Sequence, residues 1–217
     1  MIINLNLEGK KIIVVGGGNE AEKRIKSLLN EKCEIIVISD SINTQISKLV
    51  KLKRIKFKKQ KIENIKFISE LNPDLIITTT NDTKINQKII NYAKKKNTMA
   101  YSSDNPEDSD FSNPAIIDFE KMIQVAIFTG GRSPIMSKKI KSKAEIALKK
   151  IISKEDIAQI KIQKISRKLA KEIIPNQFER KKCLKSIMKD SHIDQLIKDG
   201  HIKEAEKQSR EIIKKWK

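Results

Sequence analysis

The chain has 217 residues, enough for one main domain and a smaller second one, and a hydrophobic content of 38% at helix and strand spacing argues against disorder. No run approaches the roughly 18 to 20 apolar residues of a membrane span, and the amino-terminal residues lack a secretion signal. The net charge of +19 suggests nucleic acid, but aromatic residues make up only 4% and do not alternate with the basic runs. We therefore predict a cytoplasmic protein with no nucleic-acid or membrane partner.

The first hundred residues alternate short apolar strands with helices, which is typical of a parallel sheet covered by helices. The predicted strands are residues 11–15, 34–38, 54–58, 75–79 and 99–102, and the predicted helices are residues 21–30, 42–52 and 84–96. This order indicates a doubly wound α/β domain.

The composition changes to Asp, Ser, Asn and Pro over residues 104–113, which predicts a loop and a domain boundary. Two strands, residues 115–118 and 123–129, are predicted to pair as a hairpin. Ser133 and Pro134 then cap and open a long helix that runs to about residue 152. The rest is predicted to be helical, with interruptions at Pro175 and near Gly200.

Gly16, Gly18 and Ala21 directly follow the first strand and fit the fingerprint of a dinucleotide-binding turn. One glycine makes the turn, the next lets a pyrophosphate approach the backbone, and the small third residue allows close helix packing. The helix N-terminus, with Asn19 and Glu20 in its first turn, would receive the phosphates. A glycine turn without a ligand is the alternative.

Further polar residues stand at the carboxyl ends of the second and fourth strands. Asp40 could accept hydrogen bonds from the ribose hydroxyls and repel a 2′-phosphate, which favours NAD over NADP, or it could form a turn with its own backbone. Thr79, Thr80 and Asn81 could line the nicotinamide side of the site, or they could cap the following helix.

Neither the cysteines nor the histidines are spaced as a metal site. Cys33 and Cys183 lie 150 positions apart, which fits neither a zinc pattern nor a disulfide framework and suits a reducing compartment. His192 and His201 are nine positions apart and would not share a close helical face. The sequence therefore predicts no bound metal.

Four stretches together resemble the precorrin-2 dehydrogenase family, which includes the yeast bifunctional dehydrogenase and ferrochelatase of siroheme synthesis and the amino-terminal half of bacterial siroheme synthase. They are residues 14–24, with Glu22 where the family has Arg or a similar residue; residues 79–82 with Asn86; Asp104 with Phe111, Pro114 and residues 116–118; and the Thr-Gly-Gly-Arg-Ser-Pro turn of residues 129–134. They occur in the family's order, and the combination is more specific than any one of them.

The resemblance implies a fold, an assembly and a reaction. The fold would be a Rossmann-type NAD-binding domain over residues 1–113, a dimerisation region over residues 114–152 and a helical C-terminal domain over residues 153–217, assembled as a homodimer. The reaction would be the oxidation of precorrin-2, a tetrapyrrole, to sirohydrochlorin with NAD. Some members also insert ferrous iron into sirohydrochlorin, and the sequence leaves this second activity open.

The resemblance also implies roles for particular residues. Asp104 would be the catalytic base; from composition alone it would be an exposed Asp-Asn-Pro turn. Thr129, Gly130 and Arg132 would lie near the substrate, although Arg132 could equally be an exposed arginine. The basic tail, in which residues 137–217 carry 24 basic and 11 acidic side chains, would attract the carboxylates of the tetrapyrrole.

Two other functions remain as alternatives at this point. An NAD-sensing regulatory module, similar to the NAD-binding domains of potassium channels, would explain the glycine turn but neither the Asp104 loop nor the turn of residues 129–134. A nucleic-acid-binding protein would explain the charge alone.

Overall fold

A computed structural model describes residues 2–216, which divide into two compact units, one ending at Asn113 and the other beginning at Pro114. Each unit has a hydrophobic core of its own. The further boundary at residue 152, inside the second unit, stays a prediction.

The first unit alternates strands and helices along its whole length. Its elements are β1 (Lys11–Val15), α1 (Asn19–Leu28), β2 (Glu34–Ser39), α2 (Thr44–Lys51), β3 (Lys56–Lys59), α3 (Lys66–Leu71), β4 (Leu75–Thr78), α4 (Thr83–Lys95) and β5 (Met99–Ser102). The strands form one parallel sheet in the order β3-β2-β1-β4-β5. This confirms the predicted doubly wound α/β fold and puts its switch point between β1 and β4, where ligands bind in such folds.

The central strand β1 shows why this sheet forms. Ile12 and Val14 pack on one face of the sheet and Ile13 and Val15 on the other, and none of the four is exposed. A strand that is covered on both faces needs a continuous apolar run rather than alternation. The carboxyl end of this run is where the chain turns toward α1.

The sequence analysis predicts no helix at α3. This helix is six residues long, and Ile65, which precedes it, provides no side-chain cap. The local start signal lies one position earlier, where Asn64 Oδ1 accepts the Lys66 N–H at 3.0 Å. The helix forms because Phe67 and Ile68 are buried in the core on one face of the sheet, which is a tertiary effect.

The second unit begins with a hairpin and continues as helices. Its elements are β6 (Ala115–Phe119), β7 (Ile123–Ile127), α5 (Pro134–Ile151), α6 (Lys154–Ile173), α7 (Gln177–Lys189), α8 (Ser191–Lys198) and α9 (Ile202–Lys215). The antiparallel pairing of β6 with β7 confirms the predicted hairpin, and Ser133 caps α5 as predicted by accepting the Met136 N–H at 3.2 Å. One further break was not predicted: Asp190 ends α7 and caps α8 by accepting the Ile193 N–H at 2.9 Å.

Helices α6 to α9 enclose the core of the second unit. The core side chains are Ala158, Ile162, Ala170, Ile174, Cys183, Ile187, Ile193, Ile197, Ala205 and Ile213. Cys33 and Cys183 are both free thiols. Over residues 2–216, no helix is long and apolar enough to cross a membrane.

Two neighbouring residues of α7 test the packing of the helical core. Ile187 is 1% exposed and its neighbour Met188 is 53% exposed. We expect Ile187→Ala to lower the free energy of unfolding by about 2–5 kcal/mol, because it leaves a cavity, and Met188→Ala to lower it far less. Urea denaturation of both variants would measure this difference, and equal losses would contradict the packing.

Candidate functional site

The turn after β1 depends on glycine because backbone from other strand ends lies against it. The Gly16 N–H donates to the Ile38 carbonyl at 2.9 Å, and Gly16 has a φ of +111°. A Cβ on Gly16 would lie 2.5 Å from Thr79 Oγ1, and one on Gly17 would overlap the Ser41 carbonyl oxygen. Residues with side chains therefore do not fit at either position.

Gly18 differs from these two glycines because the space beside it is open. It is the N-cap residue of α1 and provides no side-chain cap, and a Cβ there would meet nothing within 4 Å. Within the described residues, the backbone N–H groups of Gly18, Asn19, Glu20 and Ala21 have no protein acceptor. An open helix N-terminus with unpaired N–H groups is suited to a phosphate anion.

The side chains of the first turn of α1 bind protein groups. Glu20 is paired with Lys23 at 3.0 Å and with Arg24 at 2.6 Å. Burial alone would raise the pKa of Glu20, but its hydrogen bonds with these two residues and their charges outweigh burial and lower the pKa. Ala21 is fully buried against the sheet. Glu20 therefore offers a phosphate its backbone N–H, and Ala21 lets the helix pack closely.

A cavity of about 570 Å³ lies at the switch point. It is lined by the glycine turn (Gly16, Gly17, Gly18), the β2–α2 loop (Ser39, Asp40, Ser41, Ile42, Asn43), the segment after β4 (Thr79, Thr80, Asn81, Asp82), and Lys61, Ile62 and Ile85. Most of the residues predicted to bind the cofactor therefore lie around one cavity. Asn19, Glu20 and Ala21 are not in its lining, and they adjoin it through Gly18.

Asp40 is exposed at the edge of this cavity. Its Oδ1 accepts hydrogen bonds from the hydroxyls of Ser39 at 3.4 Å and Ser41 at 3.3 Å. In the part of the chain that the structure describes, this carboxylate accepts no backbone N–H, so it does not form the turn considered as an alternative. Its oxygens remain accessible to a ligand in the cavity.

The side chains of the segment after β4 make different hydrogen bonds. The Thr79 hydroxyl donates to the Val15 carbonyl at 2.8 Å, and the Thr80 hydroxyl donates to Asn86 Oδ1 at 2.7 Å. Asp82 caps α4 by accepting the N–H groups of Lys84 and Ile85, each at 3.0 Å. The helix cap is therefore Asp82, whereas the two threonine hydroxyls bind protein groups.

Asn43 is a site residue that the sequence analysis missed. It caps α2 by accepting the Ile46 N–H at 2.9 Å, its own N–H donates to the Gly17 carbonyl at 2.9 Å, and its Nδ2 donates to Glu22 at 2.7 Å. Hydrogen bonds from Lys26 and Asn43 lower the pKa of Glu22. Asn directly before a helix is a recognised cap signal, so the cap could have been predicted, but its contact with the glycine turn could not.

Asp104 lies just beyond β5, outside the lining of the cavity. Its Oδ1 accepts the Ser102 hydroxyl at 2.5 Å, and Ser102 Oγ lies 3.1 Å from Thr78 Oγ1. Burial alone would raise the pKa of Asp104, but hydrogen bonds from Ser102, Asn86 and backbone N–H groups outweigh it and lower the pKa. Asp104 is therefore an exposed carboxylate that is ionised at neutral pH.

The remaining predicted site residues form the turn before α5 in the second unit. Thr129 Oγ1 and Ser137 Oγ are hydrogen bonded at 2.8 Å, and Gly130 and Gly131 have φ values of +65° and +75°. Arg132 is exposed, and its guanidinium makes no hydrogen bond or ion pair with the described residues. Over residues 2–216, no three His, Cys, Asp or Glu side chains cluster as a metal site.

The fold and the glycine turn define the class of protein: this is an NAD(P)-binding protein of the Rossmann type. A family model described as "Putative NAD(P)-binding" matches residues 3–115. A protein of Methanocaldococcus jannaschii, named "Putative precorrin-2 dehydrogenase", is 30% identical over 99% of this chain and 96% of its own length. The chain belongs to the precorrin-2 dehydrogenase family.

A longer sequence relative and a solved structure are also similar to this chain. The siroheme synthase of Blochmanniella pennsylvanica is 26% identical over 94% of this chain. That protein is longer, and this chain spans only 41% of its length. The solved structure of SirC, a precorrin-2 dehydrogenase, superposes with a TM-score of 0.72 over 96% of this chain and 99% of that one. At 23% identity this superposition supports the fold.

Paired substitutions in the turn test the two glycine functions separately. We expect Gly17→Ala to destabilise the first unit, because its Cβ overlaps the Ser41 carbonyl. We expect Gly18→Ala to fold normally, because nothing lies within 4 Å, and to weaken NAD binding by occupying the space beside the open N–H groups. Thermal unfolding and calorimetric titration with NAD would measure both, and full affinity in Gly18→Ala would contradict the phosphate site.

Proposed function

We propose that the protein oxidises precorrin-2 to sirohydrochlorin with NAD, a step of siroheme biosynthesis, and that it works in the cytoplasm. The observation that carries this proposal is the pairing of an open dinucleotide turn with an ionised Asp104 at the same edge of the sheet, the edge where ligands bind in this fold. The family assignment supplies the substrate and the oxidation.

The described residues fit the cofactor. The unpaired N–H groups of Gly18, Asn19 and Glu20 would hold the pyrophosphate, and Asp40 would accept the ribose hydroxyls and repel a 2′-phosphate. The backbone of Thr79 and Thr80 with the side chain of Asn81 would line the nicotinamide side of the cavity. When bound there, NAD supplies the hydride acceptor.

In this proposal Asp104 accepts the proton that the substrate loses, whereas NAD accepts the hydride. The substrate loses one hydride and one proton, and loss of the hydride leaves positive charge on the macrocycle. An ionised carboxylate stabilises that charge and then accepts the proton. Ser102 and the neighbouring donors stabilise this ionised form and lower the pKa of Asp104 further below neutrality.

We place the contacts to the substrate carboxylates at the turn before α5. The guanidinium of Arg132 is exposed and makes no ion pair with the described residues, and arginine binds carboxylates through paired donors. The positive φ values of Gly130 and Gly131 give a turn without side chains, which permits a close approach beside Thr129. Insertion of ferrous iron into the product stays a prediction from the family resemblance.

The Asp104 assignment is tested by replacing the carboxylate. We expect Asp104→Asn to lower kcat by about 10²- to 10⁴-fold, because general base catalysis is lost, and to leave the affinity for NAD unchanged. Glu107→Gln, in the same exposed loop, is the control and should retain full activity. NADH formation with precorrin-2 and calorimetric NAD titration would be measured for both. Full activity in Asp104→Asn would remove Asp104 from the reaction.

We also propose a homodimer assembled through α5. Within the described residues this 18-residue helix has no buried side chain. One face, with Ser137, Ala144 and Leu148, is partly covered, and the opposite face exposes Ile135 and Ile146. Met136, Ile140 and Ile151 are exposed between these two faces. Ile151 also lines a cavity of about 920 Å³ with Met122 and Met188, which extends the apolar surface. A large exposed apolar surface is typical of a protein interface.

A charge on this face should separate the subunits. Ile146 and Ile2 are both 64% exposed, and only Ile146 lies on α5. We expect Ile146→Asp to convert a particle of twice the 24.9 kDa chain mass into a monomer, and Ile2→Asp to leave the dimer intact. Size-exclusion chromatography with light scattering would measure this, and a dimeric Ile146→Asp would contradict the interface.

A further inference from the structure

We infer that Thr78, Ser102 and Asn86 form a buried set of neutral hydrogen-bond donors that orients the Asp104 carboxylate and stabilises its negative charge for the reaction. The catalytic part of this inference rests on the proposed function, whereas the network of these donors concerns the folded chain alone. These three are positioning residues, because they act through Asp104.

The first branch of the network crosses from β4 to β5. Thr78 and Ser102 are paired in register on these neighbouring strands, and they are 0% and 2% exposed. An ionised carboxylate can only accept, so the Ser102 hydroxyl donates to Asp104 Oδ1 at 2.5 Å. Ser102 Oγ then accepts the Thr78 hydroxyl at 3.1 Å. Hydrogen bonds in such a chain polarise one another and strengthen the last donor.

The second branch comes from α4. Asn86 is 1% exposed, its Oδ1 accepts the Thr80 hydroxyl at 2.7 Å, and its Nδ2 donates to the Thr80 carbonyl at 2.9 Å. These two contacts fix which end of the amide carries the N–H groups. One N–H of Nδ2 is left for another acceptor, and hydrogen bonding by Asn86 is one of the causes that lower the pKa of Asp104, after that by Ser102.

The other two aspartates of the same loop bind groups other than Asp104. Asp108 is paired with Lys94 at 3.7 Å, and Asp110 accepts the Ala100 N–H at 2.8 Å. Across residues 2–216, no Lys, Arg or His nitrogen lies within 4 Å of the Asp104 carboxylate. The charge on Asp104 is therefore stabilised by neutral donors.

Neutral donors suit the proposed chemistry better than a cation would. A lysine or arginine beside Asp104 would also keep it ionised, but its charge would cancel the field of the carboxylate at the substrate. Hydroxyl and amide donors stabilise the carboxylate and leave its net charge available to the positive charge that develops on the macrocycle. The arrangement thus combines ionisation at neutral pH with full electrostatic attraction.

The kinetic test removes one donor and compares it with the adjacent hydroxyl. Ser102→Ala deletes the donor to Asp104, and Ser103→Ala deletes a buried hydroxyl that has no partner in the described chain. Since the Ser102 hydrogen bond lowers the pKa of Asp104, its loss should raise that pKa and displace the acid limb of kcat/KM to higher pH. We expect kcat to fall about tenfold in Ser102→Ala, in line with a factor of ten per 1.36 kcal/mol, and to stay unchanged in Ser103→Ala. Superimposable pH profiles of the two variants would overturn the inference.

A second test needs no catalysis. A carboxyl whose folded pKa is lowered stabilises the fold above its unfolded pKa and loses that contribution as pH falls through the folded pKa. The free energy of unfolding of the wild-type chain minus that of Ser102→Ala should therefore be constant near neutrality and shrink below the ordinary Asp value of 3.8. Urea denaturation across this range would measure it.

The two tests separate the network from the function. If the stability difference shrinks on acidification but the wild-type chain makes no NADH, the network stands and the proposed reaction fails. If NADH forms normally and the stability difference does not depend on pH, the inference is overturned and the proposed reaction stands.

Discussion

The close approach of the strand ends at the glycine turn constrains everything else in the first unit. Gly16 donates to the end of β2 at the Ile38 carbonyl, and both the N–H and the hydroxyl of Thr79 donate to the Val15 carbonyl. The chain can reverse between these contacts only because Gly16 adopts a positive φ and has no Cβ. Helix α1 consequently starts directly over the strand ends, and its unpaired N–H groups face open space.

Three consecutive threonines, the last residue of β4 and the two after it, connect the cavity to the proposed base. Thr78 contacts Ser102, Thr79 holds the end of β1, and Thr80 fixes the amide of Asn86. Successive side chains of a strand point in opposite directions, so one short segment serves the turn, the cavity and Asp104. A shift of β4 would therefore be expected to disturb both the cavity and the hydrogen bonds that position Asp104.

The sequence predicts what local patterns determine. The apolar run of β1, the glycine fingerprint and the Ser133 cap each depend on neighbouring residues, and the structure confirms the strand, the turn and the cap. Helix α3 has only the short Asn64 contact at its start as a local signal, and it depends on the burial of Phe67 and Ile68. The lowered pKa of Asp104 depends first on Ser102 and then on Asn86. Asn86 is distant in sequence, so its effect could not be predicted from local patterns. The site assignments of Thr129, Gly130 and Arg132 stay predictions.

Anaerobic incubation of the full chain with enzymatically generated precorrin-2 and NAD tests the central claim most directly. NADH would be followed by absorbance together with the spectrum of the tetrapyrrole. We expect one NADH for each sirohydrochlorin formed, because the substrate gives up one hydride and one proton. Binding of NAD without formation of NADH or sirohydrochlorin would contradict it and would indicate a protein that binds the dinucleotide for regulation.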